Sequence, residues 1–393
     1  MNSFDETFDS LRHQFKKEKQ PISPFTLGAI NQDGSFRYVK GFGKESDDYA
    51  GSDDLYWLAS STKLVTTVAV MQCVERGQLN LNEDISKVLP EWKDAKILTG
   101  FNEKDEAIFR PATKTITLRH LLTHSSGMAY VFMDPLLNRY QELQGKQPPN
   151  PPRSVAEKFP QHFLVSEPGE RWMYSPGIDW AGVLVERITS TKLGEYMQRH
   201  IFDVVSAKDA TFHPEQREEI RGRKAKVWER VGEIVQEQEP PYWPGKAEPD
   251  FGGGGLFATV DDMLNIYQGI LSGQLLRSES VKEMFQPHLE TIKGLDNPAE
   301  YSLSSRNAIW NTIPDDVSVS FGIGGLINTA AVSKRRGVNS LTWSGMPNCY
   351  WWIDLNNSVA GVYLSQLVPT GDEKAIEVLA KFEEFVYSSL DKS

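Results

Sequence analysis

The stretch from Trp57 to Gly77, WLASSTKLVTTVAVMQCVERG, decides how the chain is read. Within it Ser60 and Lys63 lie three residues apart. Residues at that spacing share one face of a helix, so a hydroxyl and an amine come within hydrogen-bond reach of each other. That is the smallest arrangement that gives a serine nucleophile a partner to take its proton. The residues that follow, Leu64, Val65, Val68, Ala69, Met71 and Val74, are apolar around most of the helix circumference, which predicts a helix sunk in a core. Gly77 supplies the stop. Ser60 falls at the N-terminal end, where unpaired backbone N–H groups can hold an oxyanion. Ser-x-x-Lys is a short pattern and recurs from Ser389 to Lys392, so the rest of the chain has to carry the argument.

Working outward, the composition is that of a globular chain with core for two or three domains: 393 residues, 39% hydrophobic and 24% charged. Forty-two Lys and Arg against 53 Asp and Glu leave a formal charge of −11. That field opposes a nucleic-acid or anionic-membrane partner and suits small neutral or weakly charged ligands. Met1 to Gln20 has no apolar signal core. Its Phe4, Phe8, Leu11 and Phe15 spacing predicts an amphipathic helix, so neither a secretory signal nor a membrane anchor is expected and the expected compartment is the cytoplasm. Cys73 and Cys349 are expected to be buried thiols.

Strand-like runs at Phe25–Ile30 and Phe36–Phe42 flank Gln32, Asp33 and Gly34, which predicts a hairpin. From Leu81 onward no clear alternation is visible, and loops and helices are expected. Thr117 caps a short helix, and His124 after it is read as structural, although a histidine there could act as a base. Gly145 to Pro152 predicts a rigid loop, and Ser154 with Glu157 a capped helix ending before Pro160. Tyr174 precedes a Ser-Pro-Gly turn and a helix. From its neighbours alone its ring is packing, unless a site lies across the loop. The segment 214–250 is first charged, then rich in proline and aromatics. The glycines 252–255 lack the strand and spacing of a dinucleotide loop and read as a place of close backbone approach. Thr259 and Asp262 open another helix. Strand character returns at Val317–Ile327, Ser340–Trp343, Tyr350–Leu355 and Val359–Leu364, and Glu373–Leu390 is an amphipathic helix. The expected architecture is α/β in the α+β sense: an antiparallel sheet flanked by N- and C-terminal helices, with a mainly helical domain inserted. The expected division is 1–80 with 255–393 for the sheet domain and 81–254 for the insertion.

No GxSxG elbow, HExxH, Walker loop or Cys/His cluster at metal spacing is present, so no metal or other cofactor is expected. Ser60-x-x-Lys63, Tyr174-Ser175-Pro176 and Trp343-Ser344-Gly345 remain. With LASSTKL (58–64), ITLRHLLTHSSGM (116–128), WMYSPGIDWAG (172–182), FGGGGLFAT (251–259) and LTWSGMPNCYWWID (341–354), they resemble the serine β-lactamase and penicillin-binding protein superfamily over nearly the whole chain. The resemblance is to its class C-like branch of esterases and lovastatin-type acyltransferases. It implies the β-lactamase/transpeptidase-like fold, with Ser60 acylated, Lys63 activating it and Tyr174 shuttling the proton. It further implies an oxyanion hole from the N–H groups of Ser60 and Met346, and substrate contacts from Trp343, Ser344 and Gly345. Tyr242 and Trp243 are expected, with the aromatic run Tyr350 to Trp352, to rim a pocket. Two departures bear on substrate. Trp343 stands where β-lactamases carry a carboxylate-binding lysine, and Pro176 replaces the asparagine of a Tyr-x-Asn loop, so esters are expected over β-lactams. The implied reaction is acyl transfer from a small ester or thioester, with an acyl-carrier protein as one form of donor, to a hydroxyl acceptor in secondary metabolism. Carboxylester hydrolysis and a non-catalytic binding protein on the same fold are the alternatives.

Overall fold

The structure, a computed structural model, describes residues 4–43, 51, 53–145, 151–238 and 249–390. Seven strands form one sheet: β1 (Phe25–Asn31), β2 (Arg37–Phe42), β3 (Val319–Gly322), β4 (Gly325–Asn328), β5 (Leu341–Gly345), β6 (Cys349–Asp354) and β7 (Val359–Ser365). Their spatial order is β2-β1-β7-β6-β5-β4-β3 and every pairing is antiparallel. The N-terminal hairpin therefore adds to a strand that arrives more than 320 residues later, Phe25 pairing with Ser365 and Asn31 with Val359.

Both faces of the sheet are covered, which is why its inner strands read as continuous apolar runs. Successive side chains of β6 go to opposite faces. Tyr350 and Trp352 pack with Phe8, Phe15 and Phe382, from the terminal helices Asp5–Lys17 and Glu373–Leu390, and with Phe4 just before the first of these. Trp351 and Ile353 pack with Val65, Val68 and Ala69 of the central helix Thr62–Glu75, and with the helix Val260–Leu271. Twelve of the fourteen residues of the central helix are buried, as its apolar circumference demands. Tyr350, Trp351 and Trp352 are all at most 1% exposed, so the aromatic run belongs to the two cores and is not a pocket rim.

Two differences from the sequence expectation concern strands. The run Val317–Ile327 is a tight hairpin, β3 turning into β4 at Ile323-Gly324, because Gly324 takes φ +91°. The stretch after Leu81 also contains hairpins, Lys96–Phe101 with Ala107–Pro111 and Trp228–Val231 with Ile234–Glu237. Residues 107–111 are almost wholly exposed, so no alternation between apolar and polar marks them. Among the described residues, no helix is long and apolar enough to cross a membrane.

Candidate active site

Ser60 lies in a single 3-10 turn, Ala59–Ser61, immediately before the central helix. Three contacts hold this turn and its neighbours against the sheet side, and three more hold them against the segment 252–256 on the other side. Cys349 Sγ and Gln366 Nε2 both donate to Trp57 O, at 3.7 and 3.0 Å, and Ser61 Oγ donates to Cys349 O at 3.4 Å. On the other side Trp57 Nε1 donates to Gly254 O (2.7 Å), Leu58 N to Leu256 O (2.9 Å) and Thr66 Oγ1 to Gly252 O (2.7 Å). Ala59 is held at φ +44°, a left-handed value that a residue with a Cβ adopts only when its surroundings impose it.

Lys63, the second residue of the central helix and 1% exposed, reaches back to this point. Its Nζ donates to Ser60 Oγ at 3.1 Å and to Gly253 O at 2.6 Å. From the opposite side Tyr174 OH donates to Ser60 Oγ at 2.6 Å, across 114 residues of chain. Lys63 Nζ also lies 4.9 Å from the Tyr174 ring centroid. The half-buried Ser60 hydroxyl is thus held between an amine and a phenol, both in direct contact with it. An arrangement of this kind can take a proton from the serine and return it to a leaving group.

Residues not foreseen from the sequence complete the surroundings. Asp179, in the first turn of the helix Gly177–Thr189 and 1% exposed, accepts Gly253 N–H at 3.0 Å and Tyr130 OH at 3.3 Å. It thereby fixes the carbonyl that receives Lys63. A Cβ on Gly253 would sit 2.0 Å from Asp179 Oδ2, so the close backbone approach expected of the glycine run is real at this residue. Burial first, then the charge of Asp179 and the neighbouring Tyr174, push the Tyr130 phenol well above its ordinary range and keep it a donor. The signal for Asp179 was a lone carboxylate between Ile178 and Trp180 in an otherwise apolar helix start, which only a partner at a helix N-terminus makes tolerable.

Trp343 is 2% exposed, its ring 5.2 Å from that of Tyr174 and 6.1 Å from that of His124, so it forms the wall behind the phenol. Ser344 is buried and its Oγ donates to Ala308 O at 2.6 Å. A Cβ on Gly345 would lie 2.2 Å from Leu58 O, which brings the end of β5, and with it Met346, against the turn that carries Ser60. Tyr242 and Trp243 lie outside the described residues. A cavity of about 300 Å³ adjoins the site beyond Tyr130, walled by Phe132, Lys158, Phe159, Pro176 and Trp180.

His124 does not contact Ser60. It is buried, takes φ +53°, and pairs through Nδ1 with Ser175 Oγ at 3.1 Å, while its backbone carbonyl accepts Met173 N–H at 2.8 Å. It therefore holds the two residues that flank Tyr174. Burial, reinforced by the charge of Lys63, pushes the imidazole well below its ordinary value. The unfolded chain then binds a proton that the folded chain refuses. The neutral ring's contribution is full above about pH 6.5 and is lost as pH falls below that toward the lowered folded value. His124→Asn, which keeps a side chain that tolerates left-handed backbone, is expected to lose less melting temperature than the unsubstituted protein between pH 7 and pH 5. Equal losses in the two proteins would remove His124 from that account.

A serine, a lysine one helical turn on and a tyrosine from a loop 114 residues away, set between a helix and an antiparallel sheet, define the class of serine acyl-transferring enzymes to which β-lactamases belong. The family model "Beta-lactamase" matches residues 28–383, and the chain belongs to that family. Its relatives place it among the acyltransferases and esterases of the family. It is 34% identical to the lovastatin esterase of Penicillium rubens over 93% of this chain and 94% of that one. It is likewise 34% identical to the monacolin J acid methylbutanoyltransferase of Aspergillus terreus, over 84% and 81%. Among solved structures the simvastatin synthase LovD of Aspergillus terreus superposes with a TM-score of 0.85 at 30% identity, over 98% of both chains.

Proposed function

We propose that the chain is a serine acyltransferase that carries an acyl group on Ser60 from a small ester or thioester to a hydroxyl acceptor in secondary metabolism. The observation that carries this reading is the convergence of Lys63 Nζ and Tyr174 OH on one hydroxyl, Ser60 Oγ. In the first half-reaction Ser60 Oγ attacks the donor carbonyl as its proton passes to the Lys63–Tyr174 pair. The tetrahedral oxyanion is held by the N–H groups of Ser60 and Met346. As it collapses, the pair delivers the proton to the departing alcohol or thiol. In the second half the acceptor hydroxyl gives its proton to the same pair and attacks the acyl carbonyl, and Ser60 leaves as the alcohol. Asp179 and Gly253 keep Lys63 aimed, while Trp343 and Ser344 shape the wall beside the phenol. We assign the sheet domain to 1–80 and 255–393 and the insertion to 81–254. The donor is a small molecule or an acyl group on a carrier protein.

What favours transfer over hydrolysis is the aromatic-walled cavity beyond Tyr130, which can hold an acceptor and exclude ordered water from the acyl carbonyl. Ester hydrolysis is the second reading, supported by the likeness to an esterase over a larger share of the chain than to the transferase. The two separate in one experiment. The enzyme is loaded with a short acyl thioester, and free acid and ester are quantified as polyketide-like alcohols are added. Transfer requires ester to appear at the expense of acid. Unchanged acid release with no ester at millimolar acceptor would make the protein an esterase.

A further inference from the structure

We propose that Ser365 and Gln366, where β7 ends, are positioning residues for the oxyanion hole: from one short segment they hold both turns whose N–H groups face the developing charge. In the acyl-enzyme reading above, on which this rests, those N–H groups belong to Ser60 and Met346.

The two donors come from distant parts of the chain. Ser60 sits in the turn Ala59–Ser61 before the central helix. Met346 opens the turn between β5 and β6, which the pairing of Gly345 with Cys349 closes and which Asn348 completes at φ +55°. Pro347 restricts Met346 further, since a residue before proline is confined to extended backbone. An oxyanion hole works only if its donors stand about 2.7–3.1 Å from the same point, so the distance between these two turns has to be fixed. Direct contacts do part of this. Leu58 O approaches Gly345 closely, Ser61 Oγ donates to Cys349 O at 3.4 Å, and Cys349 Sγ lies 3.7 Å from Trp57 O. Those two bonds are long.

The shorter bonds run through residues 365–367. On the Ser60 side, Trp57 O accepts Gln366 Nε2 at 3.0 Å. On the Met346 side, Pro347 O accepts Ser365 Oγ at 2.9 Å and Leu367 N–H at 3.2 Å, and Asn348 O accepts Ser365 Oγ at 3.1 Å. The Asn348 amide returns two bonds, to Leu367 O at 2.7 Å and Pro369 O at 2.8 Å. The segment is braced in turn: Gln366 Nε2 also donates to Ser365 O at 2.6 Å, and Gln366 O accepts Trp228 N–H at 2.8 Å. Ser365 and Asn348 are wholly buried and Gln366 is 4% exposed, so solvent cannot replace a bond that is lost. Removing either side chain would strip a buried carbonyl of a donor and let one turn drift from the other. The charge that the hole serves forms only in the transition state, so the cost should fall on kcat and not on KM.

The test compares Gln366→Leu, which removes the amide, with Ser365→Ala, which removes only a hydroxyl. Each is assayed with p-nitrophenyl butyrate, with rates expressed per site titrated by a fluorophosphonate, so that misfolded protein does not count. Each is also inhibited with the trifluoromethyl ketone of the same propyl chain, whose adduct with Ser60 carries an oxyanion. Both variants are expected to lose about 10- to 10²-fold in kcat with KM within a few-fold, and to bind the ketone more weakly by the same factor. Val362→Ala, also on β7, is the control. It opens a cavity in the core and should lower the melting temperature, yet leave kcat per site and the ketone's Ki unchanged. Unchanged rates per site in Gln366→Leu and Ser365→Ala, or a fall in kcat with the ketone's Ki unmoved, would overturn the proposal. The same kinetic signature in Val362→Ala would overturn it too, leaving the segment as ordinary core. Failure of the acyl-enzyme reading itself would appear separately, as absence of fluorophosphonate titration in the unsubstituted protein, and would take this proposal with it.

Discussion

Replacing Lys63 by Ala, or Tyr174 by Phe, is expected to lower kcat by about 10²- to 10⁴-fold each while leaving KM within a few-fold, because in the proposed mechanism each substitution removes a proton-transfer group and not a binding surface. The double variant should be little worse than either single one. Lys63 Nζ and Tyr174 OH touch the same oxygen at 3.1 and 2.6 Å, and Nζ lies 4.9 Å from the phenol ring centroid, so in the mechanism proposed above they act as one unit whose function is lost with either member. Multiplying losses in the double variant would show two independent contributions and would contradict a shared proton path. His124→Ala as the most damaging change would point instead to a histidine base. The contact of His124 with Ser175, and not with Ser60, argues against that.

The second large effect is expected at a residue with no side chain. Gly253 O accepts Lys63 Nζ at 2.6 Å and its N–H donates to Asp179 Oδ1 at 3.0 Å. Alanine there would put a Cβ 2.0 Å from Asp179 Oδ2, and either the loop or the helix start at Gly177 has to move. A shift of even half an ångström would lengthen the bond that aims Lys63. Gly253→Ala is therefore expected to cost more than tenfold in kcat and about 1–3 kcal/mol of stability, the usual range for overpacking. Gly254→Ala is the control. Its nearest neighbour would be the backbone of Ala59 at 3.8 Å, an ordinary contact, so activity and melting temperature should barely change. Equal damage at both positions would mean that the loop tolerates no side chain for reasons unconnected with Asp179.

These two expectations also mark what can be read from residues alone. The Ser60–Lys63 pairing was legible because it is local, three residues on one helix, and the hydrophobic circumference from Leu64 to Val74 fixed where that helix lies. The terminal helices and strands β5 to β7 were legible for the same reason, since each carries its own periodicity and its own turn residues. Tyr174 was different. Nothing in its neighbourhood distinguishes a proton carrier from a packed ring; only the family likeness pointed to it, and the 2.6 Å contact with Ser60 depends on a loop folded across 114 residues. Asp179 and Tyr130 escaped notice because their importance arises from what faces them: Gly253 and Tyr130 for Asp179, and Asp179 for Tyr130. The hairpin at 96–111 was missed because its second strand, Ala107–Pro111, has no buried face and its first, Lys96–Phe101, buries two consecutive residues, Ile97 and Leu98, so neither leaves an alternating pattern. The aromatic run Tyr350–Trp352 was assigned in part to a pocket rim, yet a sheet covered on both faces sends alternate rings into two cores and leaves none for solvent.

The central claim is that Ser60 becomes covalently acylated, and it is tested most directly by incubating the protein with a fluorophosphonate, and separately with an acyl thioester, and locating the adduct by peptide mass mapping. One adduct per chain is expected, on the peptide that contains Ser60, and none in Ser60→Ala. An adduct on any other residue, or turnover of the thioester that persists in Ser60→Ala, would contradict it.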